Sequence, residues 1–282
     1  MKSSKLPWNN HVVVSDLHAG SKLGLCPPDG WQLDEGGYYK PSKVQKKLWS
    51  WWEEFWGEWV PMVMHGEPFV VILNGDARDG SHHGTSSTIT NSDEDQNALV
   101  EKILTPIVEL CEGRFYYVRG TEAHAGESGQ HEESIARSLG AIPNEIGQHA
   151  RFELYLRCGQ KKGEGLVHYT HHVGTTSSSA YESTAVYKEL VEAFVEAGRW
   201  GDETPQVVVR SHRHRGFEIR IPTQHGYGIS TVTPGWQLKT PFVHKLGMKQ
   251  ARPQMGGCVV RQGDEELHTR SRVWSIERPK EG

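Results

Sequence analysis

The sequence lacks the features that mark membrane proteins and disulfide-rich secreted proteins. It has no run of about 18 apolar residues, which excludes a predicted membrane-spanning helix, and its N-terminus has no apolar signal-peptide stretch. The four cysteines are widely spaced and form no Cys-x-x-Cys pair, which excludes a disulfide framework and a zinc knuckle. We therefore expect a soluble, cytoplasmic protein with no membrane partner.

The chain also lacks an excess of basic charge. Charged residues make up 23% of its 282 residues, and the formal net charge is −4. Overall composition thus does not predict a polyanion-binding surface, although a local basic groove stays compatible with it. The sequence shows no internal repeat, no low-complexity tract and no linker. We expect a single domain over residues 1–282 with a β-rich C-terminal third.

Short β-branched runs alternate with helical patterns in the first two thirds of the chain. The runs at 11–14, 69–73 and 115–118 predict buried strands, each followed by a loop or a helix. In the last third, paired short strands and turns predominate. This order predicts a mixed α/β layered fold rather than a purely doubly wound one.

Half of the ten tryptophans lie in a Trp-rich helical segment at about 41–60. Pro41 and Ser42 are typical of a helix start, and the apolar side chains that follow cover about half of the helix circumference. This arc is wider than that of an ordinary surface helix. We interpret the tryptophans as core residues; the alternative is that the flanks of the helix also form a homodimer face or a substrate lid.

Five short motifs in this chain are rich in carboxylate and imidazole groups, and several follow a predicted strand directly. Ligands gather at the carboxyl ends of strands in α/β folds, and these two groups bind ions such as Zn, Fe and Mn. Two ions held together can activate water and clamp the oxygens of a phosphoester. The motifs are Asp16-x-His18, Gly75-Asp76-x-x-Asp79, Gly120 to His124, His171-His172 and His212-x-His214.

In order and spacing these motifs resemble the signature of the calcineurin-like metallophosphoesterases, from residue 12 to residue 214, with some likeness to phage and prophage members. The resemblance implies an α/β fold of the four-layer αββα sandwich type. It also implies two divalent ions with a bridging hydroxide, the metal being Mn, Zn, Fe, Mg or Ni. The implied ligands are Asp16, His18, Asp76 and His214 for the first ion, and Asp76, His171 and His212 for the second.

The third motif departs from the family pattern, which reads Gly-Asn-His-Asp or Gly-Asn-His-Glu. This chain has Gly120-Thr121-Glu122-Ala123-His124. Aligned without a gap, Thr121 replaces the Asn ligand and Glu122 replaces the acid. If the loop is two residues longer, His124 is the general acid, and Thr121 or Glu122 supplies oxygen to the metal. We favour the longer loop because imidazole transfers protons well near neutral pH; Asp79 would then orient His124.

For the other candidate residues, more than one role is consistent with the sequence. His171 is the preferred ligand of the fourth motif, with His172 and His168 as alternatives. Arg119 and Arg213 would each neutralise a phosphate oxygen of the substrate, or form structural pairs instead. His82 and His83, in the loop after Asp76, would approach substrate or remain solvated.

The sequence therefore predicts a metal-dependent phosphoester hydrolase. Gly80 stands where the protein Ser/Thr phosphatases have a phosphate-binding Arg, and this difference argues against that subclass. We favour a phosphodiesterase or nuclease, by elimination, with a phosphoester such as nucleic acid as its partner. The alternatives are a phosphomonoesterase and an inactive scaffold of the same fold.

Overall fold

The computed structural model describes residues 8–81, 86–126, 128–159, 165–174, 179–224, 226–245, 252–264 and 266–277. His82 and His83 lie outside the described residues. The strands in chain order are β1 (Asn10–Val14), β2 (Trp31–Gln32), β3 (Tyr38–Tyr39), β4 (Val70–Asn74), β5 (Phe115–Val118), β6 (Ala150–Arg151), β7 (Leu154–Arg157), β8 (Leu166–Tyr169), β9 (Val207–Arg210), β10 (Phe217–Thr223), β11 (Gly226–Val232), β12 (Met255–Gln262) and β13 (Leu267–Trp274). The α-helices are α1 (Lys43–Glu54), α2 (Val60–Met64), α3 (Asp93–Leu110), α4 (Glu122–Ala125), α5 (Gln130–Ser138), α6 (Glu182–Trp200) and α7 (Pro241–Lys245).

Two large sheets form the framework, as predicted for a mixed α/β fold. The six-stranded sheet has the order β13-β12-β1-β4-β5-β6, and the five-stranded sheet has the order β10-β11-β9-β8-β7. In the first sheet β1, β4 and β5 are parallel, and in the second β8, β9 and β11 are parallel. Parallel strands end at the same edge of a sheet, so the loops that follow them are neighbours.

Alternation along the strands divides their apolar residues between two cores. In β1, Val12 and Val14 join a cluster that contains the helical tryptophans, whereas Val13 joins a second cluster. That second cluster also contains Val167 and Val209 from the other sheet. Because successive side chains of a strand point to opposite faces, both faces of β1 are buried, which explains its continuous valine run.

The Trp-rich segment is a helix whose tryptophans pack in the core, as predicted. Ser42 caps α1 in a capping box with Gln45, and a π-helical segment over Phe55–Trp59 connects α1 to α2. Four of its five tryptophans are buried and Trp49 is half-buried. They contact Trp236 and Trp274 from the C-terminal third. The homodimer through this helix stays a prediction.

Several short elements were not predicted from the sequence. They are the β2–β3 pair, β6, α4, α7 and the π-helical segment, each too short for hydrophobic periodicity to identify. The long helix α6 runs over Glu182–Trp200, and β7 and β8 form an antiparallel pair. None of the helices in the described part of the chain has the length and apolar character needed to cross a membrane.

Replacement of a core tryptophan should destabilise the fold strongly. Trp52 is 3% exposed and its ring packs edge-on against Trp236 at 5.0 Å between centroids. We expect Trp52→Ala to lower the free energy of unfolding by about 3–5 kcal/mol, through lost burial and a residual cavity. Trp200→Ala is the control, because Trp200 is 75% exposed; its effect should stay within about 0.5 kcal/mol. Urea denaturation measures both, and equal effects would contradict this packing.

Candidate metal centre

The predicted ligands lie in strained turns at the carboxyl ends of the parallel strands. Among the described residues, seven non-glycine residues have positive φ, and five of these are predicted metal ligands. Left-handed backbone costs about 1–3 kcal/mol at each such residue and clusters at functional sites. The turns therefore position side chains at a cost in local stability. The five ligands are Asp16 (φ 55°), His18 (45°), Asp76 (52°), His212 (71°) and His214 (50°).

A first group of potential ligands consists of Asp16, His18 and His214. One ligand atom from each lies within 4.8 Å of the others. His214 Nε2 lies 3.3 Å from Asp16 Oδ1 and 3.1 Å from His18 Nε2. Two imidazoles and one carboxylate are a ligand set that suits Zn, Fe or Mn.

A second group consists of Asp16, Asp76, His171 and His212, again with ligand atoms within 4.8 Å of one another. His171 Nε2 lies 3.0 Å from Asp76 Oδ2 and 3.9 Å from Asp16 Oδ1. His212 Nδ1 lies 3.9 Å from Asp76 Oδ2. The resemblance implies that Asp76 is shared between two ions, whereas here Asp16 belongs to both groups and Asp76 belongs to the second.

A third group joins His18, Asp79 and His124. The Nδ1 atom of His124 donates to the backbone carbonyl of Asp79, and its Nε2 lies 3.9 Å from Asp76 Oδ2. The carboxylate of Asp79 lies 3.5 Å from His18 Nδ1 and accepts a hydrogen bond from Gln237. Asp79 thus contacts His124 through its backbone oxygen, and its carboxylate, expected to orient His124, faces His18.

The third sequence motif is placed by the short helix α4. Thr121 precedes α4, and its backbone N–H donates to Asp76 Oδ1 at 2.7 Å, with its hydroxyl 3.1 Å from the same oxygen. Glu122 begins the helix and is exposed. It belongs to none of the three groups found among the described residues. It lines a neighbouring cavity of about 420 Å³, together with His124 and Arg78.

The donor atoms of the site fit divalent metal ions. Nδ1 of His171 donates to the backbone carbonyl of Asn74 at 2.7 Å, so Nε2 is the nitrogen that faces the site and would bind a metal once it has lost its proton. Nε2 of His171 and Oδ1 of Asp16 are buried and form no hydrogen bond within the described part of the chain. Buried polar atoms are normally hydrogen-bonded, so a cation between them would satisfy both.

The pKa shifts of Asp16 and His171 also indicate that the buried carboxylates require a positive charge beside them. Burial favours neutral Asp16, but the charges of His214 and His171 outweigh it and lower the pKa of Asp16 to about 2. Burial likewise opposes a charged His171, but Asp76 and Asp16 raise its pKa to about 10. The two carboxylates are thus neutralised by imidazolium protons, which a metal would displace.

A buried hydrogen-bond network joins the strand ends behind the ligands. Asn74 Nδ2 donates to the Thr170 carbonyl at 2.9 Å and to Ser211 Oγ at 2.7 Å. Thr233 Oγ1 lies 2.7 Å from both Ser211 Oγ and Ser15 Oγ. These side chains follow or end β1, β4, β8, β9 and β11, so the network fixes the relative positions of the loops that contain the ligands. It was missed from the sequence because such polar residues are common at strand ends.

A second residue missed from the sequence is Glu132 in α5, which is completely buried. Its Oε2 accepts the backbone N–H of Gly120 at 2.7 Å, and its Oε1 accepts the hydroxyl of Tyr117 at 3.3 Å. Burial, followed by the negative charge of Asp76, raises the pKa of Glu132 to about 7. Glu132 therefore holds the start of the third motif. Nothing in the helical pattern around it distinguishes it from a surface glutamate.

The two predicted substrate-binding arginines lie outside the three groups. Arg119 Nε donates to the Ala150 carbonyl at 3.0 Å, and its guanidinium stacks on the ring of Phe152. Arg213 donates to the carbonyl of Gly174. Both arginines therefore make structural contacts, as their alternative interpretation expected. Phosphate binding by them stays a prediction.

The two alternative histidines of the fourth motif occupy different positions. His172 is exposed, with its ring centroid 5.6 Å from that of His212. His168 stacks on Tyr155 at 4.2 Å between centroids, away from the ligand groups. Of the three candidates, only His171 has its ligand atom within a group among the described residues.

No protein-family model and no curated protein matches the chain. Among solved structures it is similar to vacuolar protein sorting 29 from Cryptosporidium parvum, at 11% identity and TM-score 0.32, over 95% of this chain and 98% of that one. It is also similar to the sulfate thiohydrolase SoxB from Thermus thermophilus, in complex with glycerol (9%, TM-score 0.38, 98% and 58%). A third is the NAD nucleotidase NadN from Haemophilus influenzae (11%, TM-score 0.37, 94% and 48%). This chain therefore spans 58% of the SoxB chain and 48% of the NadN chain. Similarity at this level carries no conclusion about activity.

Gly120 should be required for the position of Asp76. A Cβ atom at Gly120 would lie 2.1 Å from Asp76 Oδ1 and 2.3 Å from its backbone nitrogen. We expect Gly120→Ala to displace the carboxylate and weaken Mn²⁺ binding by about 10–100-fold, measured by calorimetry. Gly198→Ala is the control, because a Cβ there meets no atom within 4 Å. Unchanged affinity in Gly120→Ala would contradict the placement of Asp76.

Glu132 should make stability fall as pH rises. Its folded-state pKa of about 7 exceeds the ordinary value of 4.5, so the folded state binds the proton more tightly than the unfolded state. The stabilisation is complete below pH 4.5 and is lost as pH approaches 7. The difference corresponds to about 3 kcal/mol. In EDTA, Glu132→Gln should therefore gain stability relative to the native chain across this window, measured by urea denaturation.

The control for this experiment is Glu109→Gln, on the exposed side of α3. It removes one carboxylate without changing a buried contact. If the change in unfolding free energy caused by Glu132→Gln is as independent of pH as that caused by Glu109→Gln, Glu132 ionises normally and the prediction is wrong.

Proposed function

We propose that the chain is a metal-dependent hydrolase of phosphoesters that uses two divalent ions. The observation that carries this proposal is the convergence of Asp16, His18, Asp76, His171, His212 and His214 in two overlapping groups. Five of these six residues have a positive φ, and Asp16 Oδ1 and His171 Nε2 are buried without a hydrogen-bond partner among the described residues. If the protein bound no metal, relaxing the strained backbone and exposing these polar atoms to water would stabilise the fold.

In this proposal Asp16, His18 and His214 would hold one ion, and Asp76, His171 and His212 would hold the other. When bound, the ions supply activation of water and stabilise charge on phosphoryl oxygens. Asn74 fixes the tautomer of His171 through its backbone carbonyl, 2.7 Å from Nδ1. The network behind the ligands keeps their loops in place.

His124 is the proposed general acid. Its Nδ1 donates to the Asp79 carbonyl, so its Nε2 faces the ligand groups, 3.9 Å from Asp76 Oδ2. A proton on Nε2 is therefore positioned for transfer to the leaving oxygen of the substrate. Thr121 holds Asp76 by two hydrogen bonds. Neither Thr121 nor Glu122 is needed as the acid.

The site supports a phosphodiester as substrate better than a phosphomonoester. A monoester is largely a dianion at neutral pH, since its second pKa is about 6, whereas a diester has a single charge. The two candidate phosphate-binding arginines, Arg119 and Arg213, already donate to backbone carbonyls. A monoanionic phosphate needs less positive charge from the protein. Nuclease activity is one form of this proposal.

We also propose that the fold is a four-layer αββα sandwich. In support, α6 lies against β9, β10 and β11 of the five-stranded sheet, and α1 lies against β12 of the six-stranded sheet. An apolar cluster contains residues of both sheets. This arrangement brings the loops of the two sheets to a common edge.

The phosphomonoesterase and the inactive scaffold are the alternative functions. A scaffold would account for the altered third motif, in which Asn-His is replaced by Thr121-Glu122. However, it would give no reason to bury two carboxylates among imidazoles in strained turns, a cluster in which Asp16 Oδ1 and His171 Nε2 find no hydrogen-bond partner among the described residues. Hydrolysis assays distinguish all three possibilities.

The test is hydrolysis of bis(p-nitrophenyl) phosphate and p-nitrophenyl phosphate with Mn²⁺, combined with metal analysis of the protein. We expect faster hydrolysis of the diester, loss of activity with EDTA and loss of activity in His18→Ala. His124→Ala should retain metal but lose about 10²–10⁴-fold in kcat. His268→Ala, at an exposed position in β13, is the control.

Three results would contradict parts of the proposal. Protein that binds no divalent ion and cleaves neither ester would be a scaffold. A preference for the monoester would make it a phosphomonoesterase. Full activity in His124→Ala would show that another group protonates the leaving oxygen.

A further inference from the structure

A second cavity lies on the outer side of the five-stranded sheet, beneath α6. Its volume is about 570 Å³. His168 in β8 and Arg210 in β9 line it, whereas their neighbours Val167 and Val209 belong to the cluster between the sheets. The cavity is therefore on the opposite face of these strands from that cluster. Six carboxylates line it: Glu153, Glu189, Glu192, Glu196, Asp202 and Glu203.

Arginines compensate half of these carboxylates. The pairs are Glu189–Arg210, Glu196–Arg199 and Glu203–Arg157. In the part of the chain that the structure describes, no arginine or lysine forms an ion pair with Glu153, Glu192 or Asp202. No three of the six carboxylates are close enough together to form a metal-ligand group there. The surplus negative charge thus favours an organic cation over a metal ion.

His168 provides a second and independent sign of a ligand. It is 8% exposed and lines the cavity. Arg210 Nη2 lies 3.4 Å from His168 Nδ1, and because guanidinium groups only donate, Nδ1 is the acceptor and Nε2 holds the proton. This Nε2–H forms no hydrogen bond with any residue that the structure describes. Glu153 Oε2 is 3.4 Å away but does not accept it. A buried donor without an acceptor is unfavourable, and a ligand oxygen would satisfy it.

Tyr155 supplies an aromatic surface at the same place. Its ring stacks on His168 with 3° between the ring planes, and the residue is 51% exposed. Aromatic faces attract ammonium and guanidinium groups. The cavity thus combines a cation-binding surface with a hydrogen-bond donor for a neutral oxygen.

We propose that this cavity binds a basic peptide segment. A lysine or arginine side chain enters among Glu153, Glu192 and Asp202, against the ring of Tyr155. The backbone carbonyl of the same peptide accepts a hydrogen bond from the Nε2–H of His168. A peptide satisfies both demands, because it places a cation and an amide oxygen within one residue. This site is separate from the metal centre and does not depend on phosphoester hydrolysis.

Calorimetric titration with the capped peptide acetyl-Ala-Lys-Arg-Ala-amide tests the proposal on the full chain. We expect saturable binding, and none for acetyl-Ala-Gln-Gln-Ala-amide. Glu192 is exposed, so we expect Glu192→Gln to fold normally and to weaken binding roughly tenfold. Glu109→Gln, with the same net charge, should bind like the native chain. His168→Phe keeps an aromatic ring against Tyr155 but removes the donor, and it should also weaken binding.

The contrary results are equally definite. Absence of saturable binding at millimolar peptide overturns the proposal, and so does equal binding by Glu192→Gln and Glu109→Gln. Spermine provides a probe with charge but without an amide. If spermine binds more tightly than the peptide, and His168→Phe leaves peptide binding unchanged, the cavity attracts cations without recognising a peptide.

Discussion

The structure depends on the mutual position of buried carboxylates and imidazoles at one edge of two sheets. Asp16 and Asp76 are buried within a few ångströms of His171, which takes up a proton to balance them. Isolated charges in a protein interior are costly, and they persist only when they are paired or bind metal. The left-handed backbone at Asp16 and Asp76 adds to this cost. A bound cation would offset both costs.

The rest of the fold holds this edge in place. The paired sheets bring the carboxyl ends of β1, β4, β8 and β9 together, and buried hydroxyl and amide groups then connect them. Trp236 contacts both the core and the site. Its ring packs on Trp52, and its backbone N–H donates to the carbonyl of Asp16. Trp236 therefore connects the tryptophan core directly to the candidate metal centre. Changes in the core are expected to reach the ligands through Trp236.

The central strands and the Asp and His motifs that follow them could be predicted from the sequence, because these are local patterns. The strands ending at Val14, at Asn74 and at Val118 followed from β-branched and aromatic runs. The sequence was less informative wherever geometry depends on contacts between distant segments. Examples are the sharing of Asp16 between two groups, the burial of Glu132 and the exposure of Glu122 in a four-residue helix.

The central claim is that these residues hold two ions in a single site. Anomalous diffraction from crystals soaked in Mn²⁺ tests it most directly, because it locates the ions without reference to any substrate. The account predicts two peaks about 3.5–4 Å apart, one beside Asp16, His18 and His214 and the other beside Asp76 and His171. No peak among these residues, at a Mn²⁺ concentration that saturates the protein in solution, would contradict it.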